Sequence, residues 1–124
     1  MVRLGTLPSR VYTVMEAAVQ ALKPLASGAM IIGDCGVGLV KLCLGPEDLA
    51  TGAIDVPLLG ALRDLAGLVV GHGGYAVVES ASPEAKTQLE VWGPLASNFA
   101  LLKGLKRKFD PAGILSPGRF IGGL

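Results

Sequence analysis

Few residues in this 124-residue chain are of the types that do chemistry, and their spacing excludes more than it offers. His72 is the only histidine. It stands in Gly71-His72-Gly73-Gly74, with no cysteine or carboxylate at zinc-ligand spacing around it. A general base is usually oriented by a second polar group, and the sequence shows none beside it. A histidine at a helix end meets the negative pole of the backbone dipole, which is the preferred reading. Gly33-Asp34-Cys35-Gly36-Val37-Gly38 has the glycines of a phosphate loop in the wrong order. A dinucleotide fingerprint needs GxGxxG opening a helix, whereas here GxxGxG precedes the strand-like Leu39-Val40-Lys41-Leu42-Cys43-Leu44. A hairpin turn fits better. No serine lies in a nucleophile-elbow pattern, and Glu47-Asp48 and Glu84 occupy polar loops as solvated charges.

The cations Lys103, Lys106, Arg107 and Lys108 fall in the last turns of a helix, where they complement its negative end, and Arg119 follows. A phosphate would find its best partners here, but the cluster is too small to argue for nucleic acid. Trp92, the single tryptophan, is read as a packing anchor. Cys35 and Cys43 would lie roughly 26 Å apart along a strand, beyond the ~7 Å that a disulfide tolerates. Free thiols suit a reducing compartment, and the expected location is cytoplasmic.

Strand and helix patterns alternate to position these residues. Val2–Leu7 sets Val2, Leu4 and Thr6 on one face and predicts a strand. Pro8-Ser9 opens a helix with Ser9 as N-cap; Val11, Val14, Ala18, Leu22 and Leu25 form its apolar face, and Pro24 ends it. Ala29–Ile32 and Val37–Leu44 predict two strands joined by a turn at Gly33–Gly36. Residues 45–56 read as a loop. Asp55 then caps a second helix carrying Pro57 in its first turn and Leu58, Leu62, Leu65 and Val69 at helical spacing, closed by Gly71 or Gly73. Tyr75–Val78 predicts a fourth strand, Ser80–Gln88 a polar connection, Leu89–Pro94 a short extended piece, and Leu95–Phe109 a third helix stopped by Asp110-Pro111. The order β-α-β-β-α-β predicts an α+β fold: a ferredoxin-like antiparallel sheet with its helices on one face, plus a C-terminal helix and extended tail.

Composition bounds the function classes. The formal net charge is +1 and only 17% of residues are charged, against about 25% on average, so neither nucleic acid nor an anionic membrane is advertised. Apolar residues reach 51% and the mean hydropathy is +0.56. The longest apolar runs, around Ala29–Ile32 and Leu65–Val70, fall far short of the ~18 residues of a membrane span. Part of the apolar surplus is expected to face another domain or subunit; an Ala/Gly/Leu-rich core is the alternative. Met1–Leu7 is too short an apolar run before Pro8 to be a signal peptide.

The chain closes on Lys-Phe-Asp-Pro-Ala-Gly-Ile-Leu-Ser-Pro-Gly-Arg-Phe-Ile-Gly-Gly-Leu, apolar where a disordered tail would be polar. Pro111 and Pro117 stiffen it, Gly113 and Gly118 permit turns, and Ile114 and Leu115 can anchor it. Together with the basic helix before it, residues 101–124 resemble the C-terminal signature of FAD-linked oxidases of the vanillyl-alcohol-oxidase (PCMH-type) superfamily. Those chains end in a basic helix followed by Phe-Asp-Pro-x-Gly-Ile-Leu-Asn/Ser-Pro-Gly-Lys/Arg. Val91-Trp92-Gly93, residues 118–124, residues 66–81 and residues 36–44 are most similar to the FAD-binding subunit of glycolate oxidase. The resemblance is densest over residues 95–124.

That resemblance implies a cap domain. In the family a larger N-terminal domain holds most of the FAD, and a C-terminal α+β cap covers the isoalloxazine and shapes the substrate pocket. Residues 1–124 correspond to the cap as one domain; the FAD-binding domain lies outside them. The tail returns from cap to flavin domain, which brings Ser116, Gly118 and Arg119 near the cofactor. The family carries asparagine or serine at the position of Ser116. The implied chemistry is hydride transfer from a 2-hydroxy acid such as glycolate to FAD. No catalytic residue and no metal ligand carries over. The implied partners are the FAD-binding domain or other glycolate-oxidase subunits, in the cytoplasm or peripheral to the inner membrane within a complex. The chain alone is expected to be inactive and to hold FAD weakly. The alternative is a non-catalytic interaction module that dimerises or assembles with other oxidase subunits, and a homodimer through exposed apolar surface is also expected.

Overall fold

Strand β1 (Val2–Gly5) buries Val2 and Leu4 on one face and turns Arg3 to the other, the period-two pattern of a half-covered strand. Its neighbours repeat the pattern: Val40 and Leu42 in β3 (Leu39–Cys43), Ala76 and Val78 in β4 (Tyr75–Val78). Register aligns the buried set, with Leu4 opposite both Val40 and Ala76, and Val2 opposite both Leu42 and Val78. The edge strand β2 (Met30–Asp34) pairs with β3, and the four strands run antiparallel in the order β2-β3-β1-β4. The computed structural model describes residues 1–45, 54–94 and 98–124, which form two compact units, Met1–Val91 and Trp92–Leu124.

In the first unit, helices α1 (Val11–Leu22) and α2 (Val56–Gly71) pack against each other and on the apolar sheet face. Val11, Val14, Ala18 and Leu22 of α1 are buried, as are Leu58, Leu62, Leu65 and Val69 of α2, both sets at the predicted spacing. Fully burying one such aliphatic side chain contributes roughly 1.5–3 kcal/mol. Helix α2 ends as its glycines predict. Gly73, at φ 76°, donates its N–H to Val70 O, and Gly74 donates to Val69 O, which satisfies two carbonyls that the helix leaves open.

Local geometry departs from the sequence reading at several places. Leu25, expected on the apolar face of the first helix, lies past its end at Leu22 and is 40% exposed. Ser9 is not an N-cap: a 3-10 turn over Pro8–Arg10 begins after Leu7 and leads into α1. The hairpin turns at residues 35–38, two residues later than expected, because Gly33 and Asp34 still pair with Val40 and Leu39. The Asp34 carboxylate accepts the Gly36 N–H at 2.9 Å, and Gly38 adopts φ 71°. The Gly38 carbonyl accepts the Thr6 N–H at 2.7 Å, and a side chain at Gly38 would run into the Thr6 carbonyl. Residues Pro83–Gln88, expected as a connection, form a short helix α3 with Ser82 Oγ accepting the Ala85 N–H and Ala85 fully buried. Residues 91 and 92 lie in a turn instead of an extended piece, although Val91 O accepts the Val78 N–H at 2.7 Å. The loop reading of residues 46–53, with Glu47-Asp48, lies outside the described residues.

The second unit holds helix α4 (Phe99–Phe109) and the strap that follows it. The predicted helix start at residues 95–97 lies outside the described residues. Helix α4 buries no side chain, and it exposes Leu101, Leu105 and Phe109 along one side. None of the described helices is long and apolar enough to cross a membrane.

Candidate functional site

The strap owes its shape to one carboxylate. Asp110, at the C-cap of α4, is 7% exposed and the one buried charged residue among those described. Its Oδ1 accepts the Ile114 N–H at 2.9 Å and its Oδ2 the Leu115 N–H at 3.0 Å. Lys106 Nζ, one helical turn back, donates to Oδ2 at 2.6 Å and also to the Leu115 carbonyl at 2.5 Å. The Lys106 hydrogen bond is the main cause that holds the Asp110 carboxyl below its usual 3.8; burial opposes it, and the two backbone N–H groups and the Lys106 charge assist. Pro111 cannot donate, so the chain turns at Asp110 and the next free amides come back onto its carboxylate.

Beyond that clasp, Ser116, Gly118 and Arg119 share one turn, in which the Arg119 N–H donates to Ser116 O at 3.2 Å. Ser116 is the one non-glycine residue at positive φ, 46°, among those described, and Gly118 sits at 73°. A serine held in the left-handed region costs free energy that surrounding structure must offset, and such strain gathers at functional positions. All three side chains or backbones face solvent, as do Ile114 (75% exposed) and Leu115. A shallow groove of about 340 Å³ runs between the end of α4 and the turn, lined by Lys106, Asp110, Pro111, Gly113, Pro117 and Gly118. Lys106 is already paired within the clasp, whereas Arg107, Lys108 and Arg119 are exposed. This arrangement can hold a polar or anionic group against exposed backbone with an apolar rim beside it. It contains no nucleophile–base pair.

The other singled-out residues take structural places. His72 is the C-cap of α2 and its backbone N–H meets Val69 O and Val70 O. Cys35 is exposed in the hairpin turn, while Cys43 pairs with Met30 at the far end of the same hairpin, and both are free thiols. Trp92 packs edge-to-face on Phe120, with centroids 5.4 Å apart and an interplanar angle of 67°. No three metal-ligating side chains come together among the described residues. The residues that sequence reasoning missed are Asp110 and Lys106, read only as a helix stop and a dipole partner. The available signal was an aspartate directly before a proline, the usual position of a side chain that gathers downstream amides.

Compared with known proteins, the sequence matches no family profile, no curated protein and no solved structure.

Proposed function

We propose that residues 1–124 are the substrate-cap domain of a flavin-dependent 2-hydroxy-acid oxidoreductase, similar to the FAD-binding subunit of glycolate oxidase. The observation that carries the reading is the strap. Its backbone is ordered by the buried Asp110, yet Phe109, Ile114 and Leu115 project outward at 74%, 75% and 59% exposure. An ordered backbone bearing outward apolar side chains is built to lie against another surface. The strand order β2-β3-β1-β4 with two crossover helices supports the ferredoxin-like arrangement expected of such a cap.

In this reading FAD is held mainly by a domain outside these residues. The flavin accepts the hydride when bound. Gly118, without a side chain, lets the strap approach the cofactor closely, Ser116 offers a hydroxyl, and Arg119 offers a cation to a polar edge. The apolar side chains of the strap exclude water from the joint.

Titration of the purified chain with FAD, followed by flavin fluorescence, tests this division of labour. Weak or no binding is expected from the chain alone, whereas tight stoichiometric binding would overturn the reading of an incomplete site. A complementary measurement is the mass and flavin absorbance of the protein isolated from its source. Native material in which these residues accompany no flavin would equally remove the proposal.

A further inference from the structure

We infer that the first unit associates with a second copy of itself through the edge of β2, joining two four-stranded sheets into one of eight. This inference is independent of the flavin reading.

The two sheet edges are not alike. At the β4 edge the Val78 N–H is taken by Val91 O. At β2, among the described residues, the backbone makes no hydrogen bond beyond its ladder with β3. Soluble proteins usually blunt such an edge with lysine, proline or a bulge. Here Met30-Ile31-Ile32-Gly33 carries none of these, and the carboxylate of Asp34 is turned back onto the Gly36 amide. Met30 is 59% exposed and Ile32 49% exposed on the uncovered face.

The helix layer continues this strip. Helix α1 lies over β2, where a side chain at Gly33 would strike Met15. On the flank away from α2, Val19 is 43% exposed, and with Leu22, Lys23, Ala26, Ser27, Ala29 and Ile31 it lines a hollow of about 180 Å³. Strands are spaced about 4.8 Å apart and packed helices 8–10 Å, so one helix covers two strands. The unit already has two helices over four strands, and a second copy beside β2 preserves that ratio with α1 against α1.

The occupant is a second copy because the strip is self-complementary. A two-fold axis at Ile31 sets Met30 opposite Ile32 of the second copy, and Ile31 opposite itself beneath the hollow. Val19 lines that hollow with Ile31, so the same axis passes beside α1 at the level of Val19–Gln20. Antiparallel helices about that point bring Glu16 beside Lys23 of the second copy, twice. Both residues are exposed and neither forms an ion pair among the described residues.

Sedimentation equilibrium of the chain over a concentration series tests the inference. The expected result is a reversible species of twice 12.7 kDa. Ile32→Lys and Glu16→Lys should each weaken association at least about tenfold, by a desolvated charge and by like-charge contact. The Glu16→Lys/Lys23→Glu double variant should recover most of the loss, a rescue that a folding defect would not give. Circular dichroism confirms that each variant is folded; should Ile32→Lys fail to fold, the Glu16 and Lys23 pair decides alone. A monomer up to millimolar concentration overturns the inference. So does a dimer indifferent to these substitutions.

Discussion

Removing the Asp110 carboxylate should free the strap while leaving the sheet intact. Asp110→Ala deletes the acceptor of the Ile114 and Leu115 amides and one of the two partners of Lys106. Hydrogen bonds to an ionised group are stronger than neutral ones, each shifting an equilibrium by roughly ten- to a hundredfold. Amide exchange measured by NMR, corrected for intrinsic rates, should therefore accelerate at Ile114 and Leu115 by about one to two orders of magnitude. Val40 and Leu42, in the core of the other unit, should exchange at their original rates. Asp110→Asn sharpens the test. Its single oxygen can serve either Oδ1's partner, Ile114, or Oδ2's two partners, Leu115 and Lys106. The second orientation keeps two bonds, so Ile114 alone should lose protection. Equal exchange at both amides in the wild-type protein and in Asp110→Ala would refute the carboxylate as organiser of the strap.

Other outcomes follow from the same geometry. Because the folded pKa of Asp110 is depressed, its contribution is complete above the ordinary value of 3.8 and is lost as pH falls through the lower folded value. Fluorescence of Trp92, the only tryptophan and packed on Phe120 just past the strap, should hold steady from neutral pH to about pH 4 and change below it. Gly38→Ala places a Cβ at φ 71° against the Thr6 carbonyl, so urea unfolding should show a loss of at least about 1–2 kcal/mol, the usual cost of the left-handed region. Leu4→Ala empties the centre of the sheet, where Leu4 is 1% exposed, and should cost roughly 2–5 kcal/mol in the same assay.

Most of the elements were legible because hydrophobic spacing is local. Val11, Val14, Ala18 and Leu22, and Leu58, Leu62, Leu65 and Val69, mark the buried helix stripes directly. Glycine chemistry likewise announced the end of α2 at Gly71 or Gly73, and the structure takes Gly73. The hairpin turn was misplaced because glycine content signals a turn without counting ladder pairs, and it is pairing with β3 that keeps Gly33 and Asp34 in β2. Helix α3 was missed because Pro83–Gln88 is polar; the Ser82 side chain caps it, and Ala85 joins a core cluster whose other members are distant in sequence.

The candidate site divides in the same way. The sequence alone determined that the tail is stiff, turn-rich and apolar, since proline, glycine and aliphatic side chains carry those properties wherever they stand. Only the tertiary structure decided that Asp110 is buried and gathers two downstream amides and Lys106, and that Ser116 takes a positive φ. It alone decided that β2 is the sheet edge left unpaired among the described residues. Those outcomes depend on how segments meet in space, where the energy of a carboxylate or a strand edge is set by neighbours that sequence spacing does not name.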